Sequence, residues 1–307
     1  MKKFRNLLIE RALNSNARIV LPEQNDSRIV EAKNQLLQLG FNIIETSSKK
    51  NIRDLLVDFV SQKKFTKNWT YEQKYSFIKN PVNFGMAMVA SNHADCLVAG
   101  AVTPTSDVLR SAIRIVGVKP TSKWISSSFF MLSKDEKTCF TFSDCGVIPE
   151  PTTDQLVNIA KDASQLHEFI SSQTPKVAFL SFSTKGSANH YRVKRVKDAT
   201  CLFSKKYPDI THEGEIQFDV AVDKLIASQK APQSSIQGDA NVMIFPNLDA
   251  GNIAYKITQR LAGFHAWGPL LQGLNKPVHD LSRGCSVDDI ISICVISAIQ
   301  KESYAIT

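Results

Sequence analysis

The chain has 307 residues, 43% apolar, 21% charged and 8% aromatic, values close to those of ordinary globular proteins, which exclude a disordered or fibrous chain. Lys and Arg outnumber Asp and Glu by 37 to 29, a surplus that suits polyanionic ligands without choosing among them. The length suggests about two domains at ~100–200 residues each.

The opening MKKFRNLLIERALNSNARIV reads as an amphipathic helix, because Glu10 and Arg11 interrupt any apolar core that a signal peptide would need. RIVLP (18–22) is a short strand. DSRIVEAKNQLLQLG follows as a helix, with Asp26 or Ser27 as N-cap and Gly40 as its stop. FNIIET and DCLVAG (95–100) are the next strands. SDVLRSAIRIVG then places Val108, Leu109, Ile113 and Val116 on one helical face. KWISSSFFMLSKDEKTCFTFSDC (123–145) breaks the alternation and predicts an antiparallel hairpin around SKDEK. VIPEPTTDQL starts a helix capped by Thr152 or Thr153, KVAFLSFS (176–183) precedes a helix from about Ala188, and NVMIFP (241–246) precedes GNIAYKITQRLAG. The polar stretch Ser228–Ala240 reads as a surface excursion. Strands alternating with helices predict an α/β fold with largely parallel sheets.

No membrane partner is expected, since the most apolar run, Ile290–Ile299, is far shorter than the ~20 residues of a spanning helix. Six cysteines without C-x-x-C spacing suit a reducing cytoplasm rather than a disulfide or zinc framework. The six histidines lack regular spacing and read as satisfied core or surface residues, so no metal site is expected. P-loop, G-x-G-x-x-G, H-E-x-x-H and G-x-S-x-G signatures are missing.

Three loops carry the candidate chemistry. In AVTPTSDVLR (101–110), Thr105, Ser106, helix-start amides and Arg110 are suited to an anion, or else Thr105 or Ser106 simply caps the helix. SFSTKGSANH (181–190) is a weaker candidate of the same kind. In GPLLQGLNKPVHDLSRGCSVDDI (268–290), Ser282 and Arg283 can together hold a phosphate or an oxyanion. There Ser286 and Asp289 also spell a capping box, so Asp289 reads equally as a helix cap.

PLLQGLNKPVHDLSRGCS resembles the C-terminal signature of the phosphate acetyltransferases, or phosphotransacetylases. NPVNFGMAMV, TSDVLR, TFSDCGVIPEPTTDQL, LSFSTKGSA, EGEIQFDVAV and FPNLDAGNIAYK agree in order, so the likeness spans residues 4–305. The His279-containing PVHDLSRGCSV looks closest to the ethanolamine-utilisation form. The resemblance implies two α/β domains with a cleft between them, in the architecture of the isocitrate and isopropylmalate dehydrogenases: residues 1–126 with 280–307, and an inserted, dimerising domain at 127–279. It implies reversible acetyl transfer between CoA and phosphate in a homodimer, with CoA or acetyl-CoA as substrate and no bound cofactor, metal or nucleic acid.

By the same resemblance, Asp289 takes the CoA thiol proton while Arg283 and Ser282 steady the acyl group, phosphate and oxyanion. Arg110 is implied to bind CoA, and Thr105, Ser106, Ser127 and Ser128 complete the expected substrate contacts. Where the family carries a second CoA-contacting arginine, SQKKFTK offers only Lys63 and Lys64, which keep the charge but lose the bidentate fork. A free thiol (pKa ~8.5) and a free aspartate (~3.9) are mismatched by about 4.6 units, roughly 6 kcal/mol for full proton transfer. Either Asp289 is buried in a closed state, or transfer is concerted with attack. Ser282 and Cys285 are read as non-nucleophilic. Butyryl or propionyl transfer is the alternative within the class. A dehydrogenase on the same scaffold and a non-catalytic CoA-binding protein are the rivals outside it.

Overall fold

Short apolar runs, most of them followed by a helix, build two sheets. The computed structural model describes residues 3–46 and 50–305. Its strands are Arg18–Val20 (β1), Asn42–Ile44 (β2), Cys96–Ala99 (β3), Ser126–Leu132 (β4), Cys139–Ser143 (β5), Lys176–Leu180 (β6), Thr211–Ile216 (β7), Val242–Ile244 (β8), His265–Gln272 (β9) and Val278–Asp280 (β10). The chain forms two compact units, residues 1–123 with 268–307, and Trp124–Trp267.

The first unit holds a parallel sheet in the order β10-β3-β1-β2, with Val278 beside Leu97 and Ile19 beside Cys96. Residues Cys96–Ala99 are buried on both faces, as a parallel sheet covered by helices requires. The helix Val287–Ala305 packs along β3. Ile290, Ile293, Cys294, Ile296 and Ile299 are all at most 1% exposed, so the apolar run at 290–299 is a core helix. Among the described residues no helix is long and apolar enough to cross a membrane. The helix Thr105–Ser111 continues as a wider π turn at Ala112–Val116. That turn rotates the expected face: Val108, Ala112, Ile115 and Val116 are buried, whereas Ile113 is exposed.

The second unit holds a sheet in the order β7-β6-β8-β5-β4-β9. β4 and β5 form the predicted hairpin, with Phe130 opposite Thr141, while β5, β8, β6 and β7 run parallel. Phe129, Met131, Phe142 and Met243 belong to one apolar cluster, and Val177, Phe179, Val242 and Ile244 to another. Thr152 caps Thr153–Ser171 in a capping box with Gln155. The stretch Ser228–Ala240 is a largely exposed excursion, as expected, but it is anchored inward at several points. Lys224–Lys230 is helical, Ile236 is fully buried in the first of these clusters, and Ala240 N donates to Ala221 O at 3.0 Å.

The boundary falls inside β9: His265–Trp267 group with the second unit, whereas residues 268–279, expected in the inserted domain, group with the first although β9 as a strand belongs to the second sheet. Backbone bonds explain the shift: Lys119 N donates to Gly273 O at 2.7 Å and Asn275 N to Gly117 O at 3.0 Å, just before β10 enters the first sheet.

Two histidines are buried as neutral rings. His279 Nδ1 accepts Leu271 N at 3.0 Å, which leaves its Nε2–H to donate to Gln300 Oε1. His167 Nδ1 pairs with Thr141 Oγ1 at 3.0 Å. Burial lowers each from 6.5 to about 4. An unfolded chain takes up these protons below pH 6.5, and the folded chain refuses them until about pH 4. Stability is therefore full above pH 6.5 and falls through that window, by ~1.4 kcal/mol per pH unit per histidine. Urea denaturation should show a weaker protein at pH 5 than at pH 7, and His279→Gln should shrink that difference.

Candidate active site

In the first sheet the C-terminal ends of β1, β3 and β10 lie side by side, so the three loops that follow them meet at one edge. Glu23, just beyond β1, takes the amides of the loop beyond β3. Its Oε2 accepts Gly100 N and Ala101 N, both at 2.8 Å, and its Oε1 accepts Val102 N at 3.1 Å and Thr103 N at 2.7 Å. The nest of four amides between β3 and the helix Thr105–Ser111 is thus taken by an internal carboxylate, which does not touch the helix-start amides that the sequence offered to an anion. Thr105 does not cap the helix. Pro104 occupies the cap position, and Thr105 Oγ1 donates instead to Asp280 Oδ2 at 2.7 Å. Ser106 is exposed, and Arg110 is exposed and paired with Asp107 at 2.6 Å.

Arg28 joins all three loops. Its Nη1 donates to Arg283 O at 2.8 Å and Cys285 O at 3.0 Å, and its Nη2 to Ala101 O at 3.0 Å. Asp26 grips the same guanidinium at 3.0 and 2.8 Å and also accepts Arg28 N, capping the helix Ser27–Gln38. The Asp26 side chain raises the Arg28 pKa, and Arg28 in turn lowers that of Asp26. Sequence reasoning passed over Glu23 and Arg28. The available signal was a charged E-x-x-D-x-R run directly after a strand.

Ser282 and Arg283 are exposed in a turn closed by Cys285 N to Ser282 O at 2.9 Å. Cys285 is buried beneath it, and burial pushes its thiol up to about 11. The predicted capping box is present: Asp289 N donates to Ser286 Oγ at 3.1 Å, and Asp289 Oδ2 accepts Ser286 N and Oγ at 2.9 and 2.8 Å. Ser282, Arg283 and a half-buried Asp289 therefore share one loop and helix start.

A concavity of about 610 Å³ in the first unit is lined by Glu23, Asp26, Arg53, Lys79, Asn80 and Thr103, among others. Its cations are Arg53 and Lys79 rather than the expected Lys63, Lys64 or Arg110. The Lys63 ammonium lies 4.6 Å from the Phe59 ring centre, and burial lowers its pKa. Lys64 is exposed on the short 3₁₀ turn Lys64–Thr66.

In the second unit the expected contacts are turned inward. Ser127 Oγ donates to Asp144 Oδ1 at 2.6 Å and Ser128 Oγ to Ser143 Oγ at 2.9 Å, and both serines are fully buried. Asp144 also accepts the amides of Gly146, Val147 and Ile148. Burial, the largest influence on Asp144, raises its carboxyl pKa. The loop 181–190 is likewise organised by an internal carboxylate: Glu215 accepts Gly186 N at 2.7 Å and Ser183 Oγ at 3.0 Å.

The profile of the phosphate acetyl/butaryl transferase family matches residues 33–298. A phosphate acetyltransferase of Acetivibrio thermocellus is 38% identical over 326 residues, covering 97% of this chain and 98% of that protein. The chain belongs to this acyltransferase family. Two solved relatives share its fold. The EutD phosphotransacetylase from Staphylococcus aureus is 35% identical with a TM-score of 0.83, covering 98% of this chain and 100% of that one. A phosphotransacetylase from Streptococcus pyogenes is 35% identical with a TM-score of 0.85, covering 98% of each chain.

Replacing Glu23 by Gln turns one acceptor oxygen into an amide facing backbone donors. Charge-assisted hydrogen bonds contribute ~1.5–3 kcal/mol each, so Glu23→Gln should lower stability by about 2–4 kcal/mol in urea titrations. Glu23→Ala should empty the nest and regain part of its Tm in formate or acetate, but not in chloride at equal ionic strength.

Proposed function

We propose that this protein transfers an acetyl group reversibly between CoA and inorganic phosphate, acetyl-CoA plus phosphate giving acetyl phosphate plus CoA. The observation that carries the proposal is the grouping of Ser282, Arg283 and Asp289 in a chain that aligns along nearly its whole length with a phosphate acetyltransferase. That relative's name favours acetyl over butyryl transfer.

In the CoA-acylating direction, the thiol sulfur attacks the carbonyl carbon of acetyl phosphate as its proton passes to the Asp289 carboxylate. The C–S bond forms and the carbonyl oxygen becomes an oxyanion facing Arg283 and Ser282. Collapse breaks the C–O bond, phosphate leaves, and Asp289 returns its proton to the departing phosphate or to water. Asp289 is only half-buried, which favours proton transfer concerted with attack over a buried base. The Cys285 thiol, held protonated up to about pH 11 by burial, is a poor nucleophile. Direct transfer in a ternary complex needs no acyl-enzyme. The exposed Arg110 and Lys64 and the partly buried Lys63 serve the CoA phosphates in this reading, and the concavity beside Glu23 adds Arg53 and Lys79.

The protein acts as a homodimer in this reading. Ile253, Ile257 and Leu261 are 56%, 53% and 83% exposed on the helix Leu248–Ala262. Their spacing of four puts them on one face, which a second copy would cover.

Purified protein should form acetyl-CoA from acetyl phosphate and CoA in a coupled assay, with acetyl preferred over butyryl and propionyl phosphate. No turnover with any of the three would reject the proposal. Asp289→Asn keeps an acceptor for Ser286 but not the proton-accepting carboxylate, so kcat should fall ~10²–10⁴-fold with little change in Tm. Near-normal kcat would leave Asp289 as a cap alone. In light scattering, Ile257→Glu with Leu261→Lys should convert a dimer into a monomer. A wild-type monomer would remove the interface.

A further inference from the structure

We propose that Asp280 is a positioning residue for acyl transfer, locking the segment that carries Ser282 and Arg283 to the Gly100–Thr105 loop. The proposal rests on the reading that Ser282 and Arg283 face the reacting groups. Asp280 ends β10, two residues before Ser282, and is 0% exposed. Its Oδ2 accepts the Thr105 hydroxyl at 2.7 Å, while Oδ1 has no hydrogen-bond partner among the described residues.

The carboxyl group is wedged against Gly100. A Cβ added there would lie 2.2 Å from Asp280 Oδ1 and 2.7 Å from Leu281 N, and φ is already +110°. Any side chain at 100 would push Asp280 and the start of the 281–286 loop outward. A carboxyl buried with no cation on it costs stability. Here burial, reinforced by the nearby negative charge of Glu23, raises it to about 7. For filling space, an apolar side chain would serve better. The carboxyl's return is geometric: Thr105 is held to β10 at the point where the chain turns toward Arg283, complementing the hydrogen bonds of Arg28 to Arg283 O and Ala101 O.

Steady-state kinetics of the full-length protein with acetyl phosphate and CoA test this. A misplacement of about 1 Å costs on the order of 10²-fold, so Asp280→Ala should lower kcat about 10- to 100-fold with the KM for CoA within about twofold. Asp280→Asn, which keeps an oxygen for Thr105, should recover most of that loss. Thr105→Val should lower kcat at unchanged Tm, Thr105→Ser should restore it, and the valine should add little to Asp280→Ala. Wild-type kcat in folded Asp280→Ala, or equal damage from Asn and Ala, overturns the proposal. If Asp280→Ala does not fold, unchanged kcat in Thr105→Val overturns it. Arg283→Lys measured in parallel separates the two readings. A silent Arg283→Lys rejects the site assignment, whereas a damaging Arg283→Lys beside a silent Asp280→Ala rejects only the positioning role.

Discussion

A single carboxylate set against four consecutive amides organises the candidate site. Glu23 accepts the N–H groups of Gly100 to Thr103, donors that leave β3 with no ladder partner. A buried donor without an acceptor costs ~1–3 kcal/mol, so the buried amides of Gly100 and Ala101 in particular need an acceptor, which Glu23 supplies. The second unit repeats the solution with Asp144, which takes three amides after β5, and with Glu215, which takes Gly186 and Ser183 after β6. In each case an acid of the chain occupies a turn whose composition resembles an anion site.

These internal carboxyl groups pin the loops at several points, as the proposed catalytic side chains would require. Arg28 and Asp26 extend the framework from Glu23 to the carbonyls of Ala101, Arg283 and Cys285. Ser282 and Arg283 are consequently presented on a backbone pinned at several points while their side chains stay exposed. Asp289 belongs to the same arrangement because its capping box sets where the last helix begins. The cap is compatible with the proposed role of base: Oδ2 holds the helix start, and Asp289 remains partly open to solvent.

Charge follows the same division. Several of the basic residues are spent on local ion pairs. Arg110 pairs with Asp107, Lys185 with Glu213 and Lys230 with Asp219. The basic residues beside the Glu23 nest, Arg53 and Lys79, line a concavity with both polar and apolar walls, a surrounding suited to a phosphorylated small molecule with an apolar part.

The sequence by itself determined the alternation of strands and helices, the β4–β5 hairpin, the Ser286–Asp289 capping box, caps at Asp26 or Ser27 and at Thr152 or Thr153, and membership of an acyltransferase family. Each of these is written in residues close together, or in long runs of identity. Only the tertiary structure decided that Glu23 fills the loop after β3, that Arg28 holds the carbonyl of Arg283, and that Thr105 spends its hydroxyl on Asp280. Those partners are separated by 77 to 255 positions in the chain, and they meet because parallel β10, β3 and β1 end at one edge of a sheet. The same holds for smaller departures. Ile113 turns outward because a π turn breaks the 3.6-residue period. Ile236 is buried although its neighbours are polar, because the Phe129–Met243 cluster has room for it. Local propensity reads hydrogen bonds within a few residues, whereas a carboxylate finds its amides only after the strands have set which loops are neighbours.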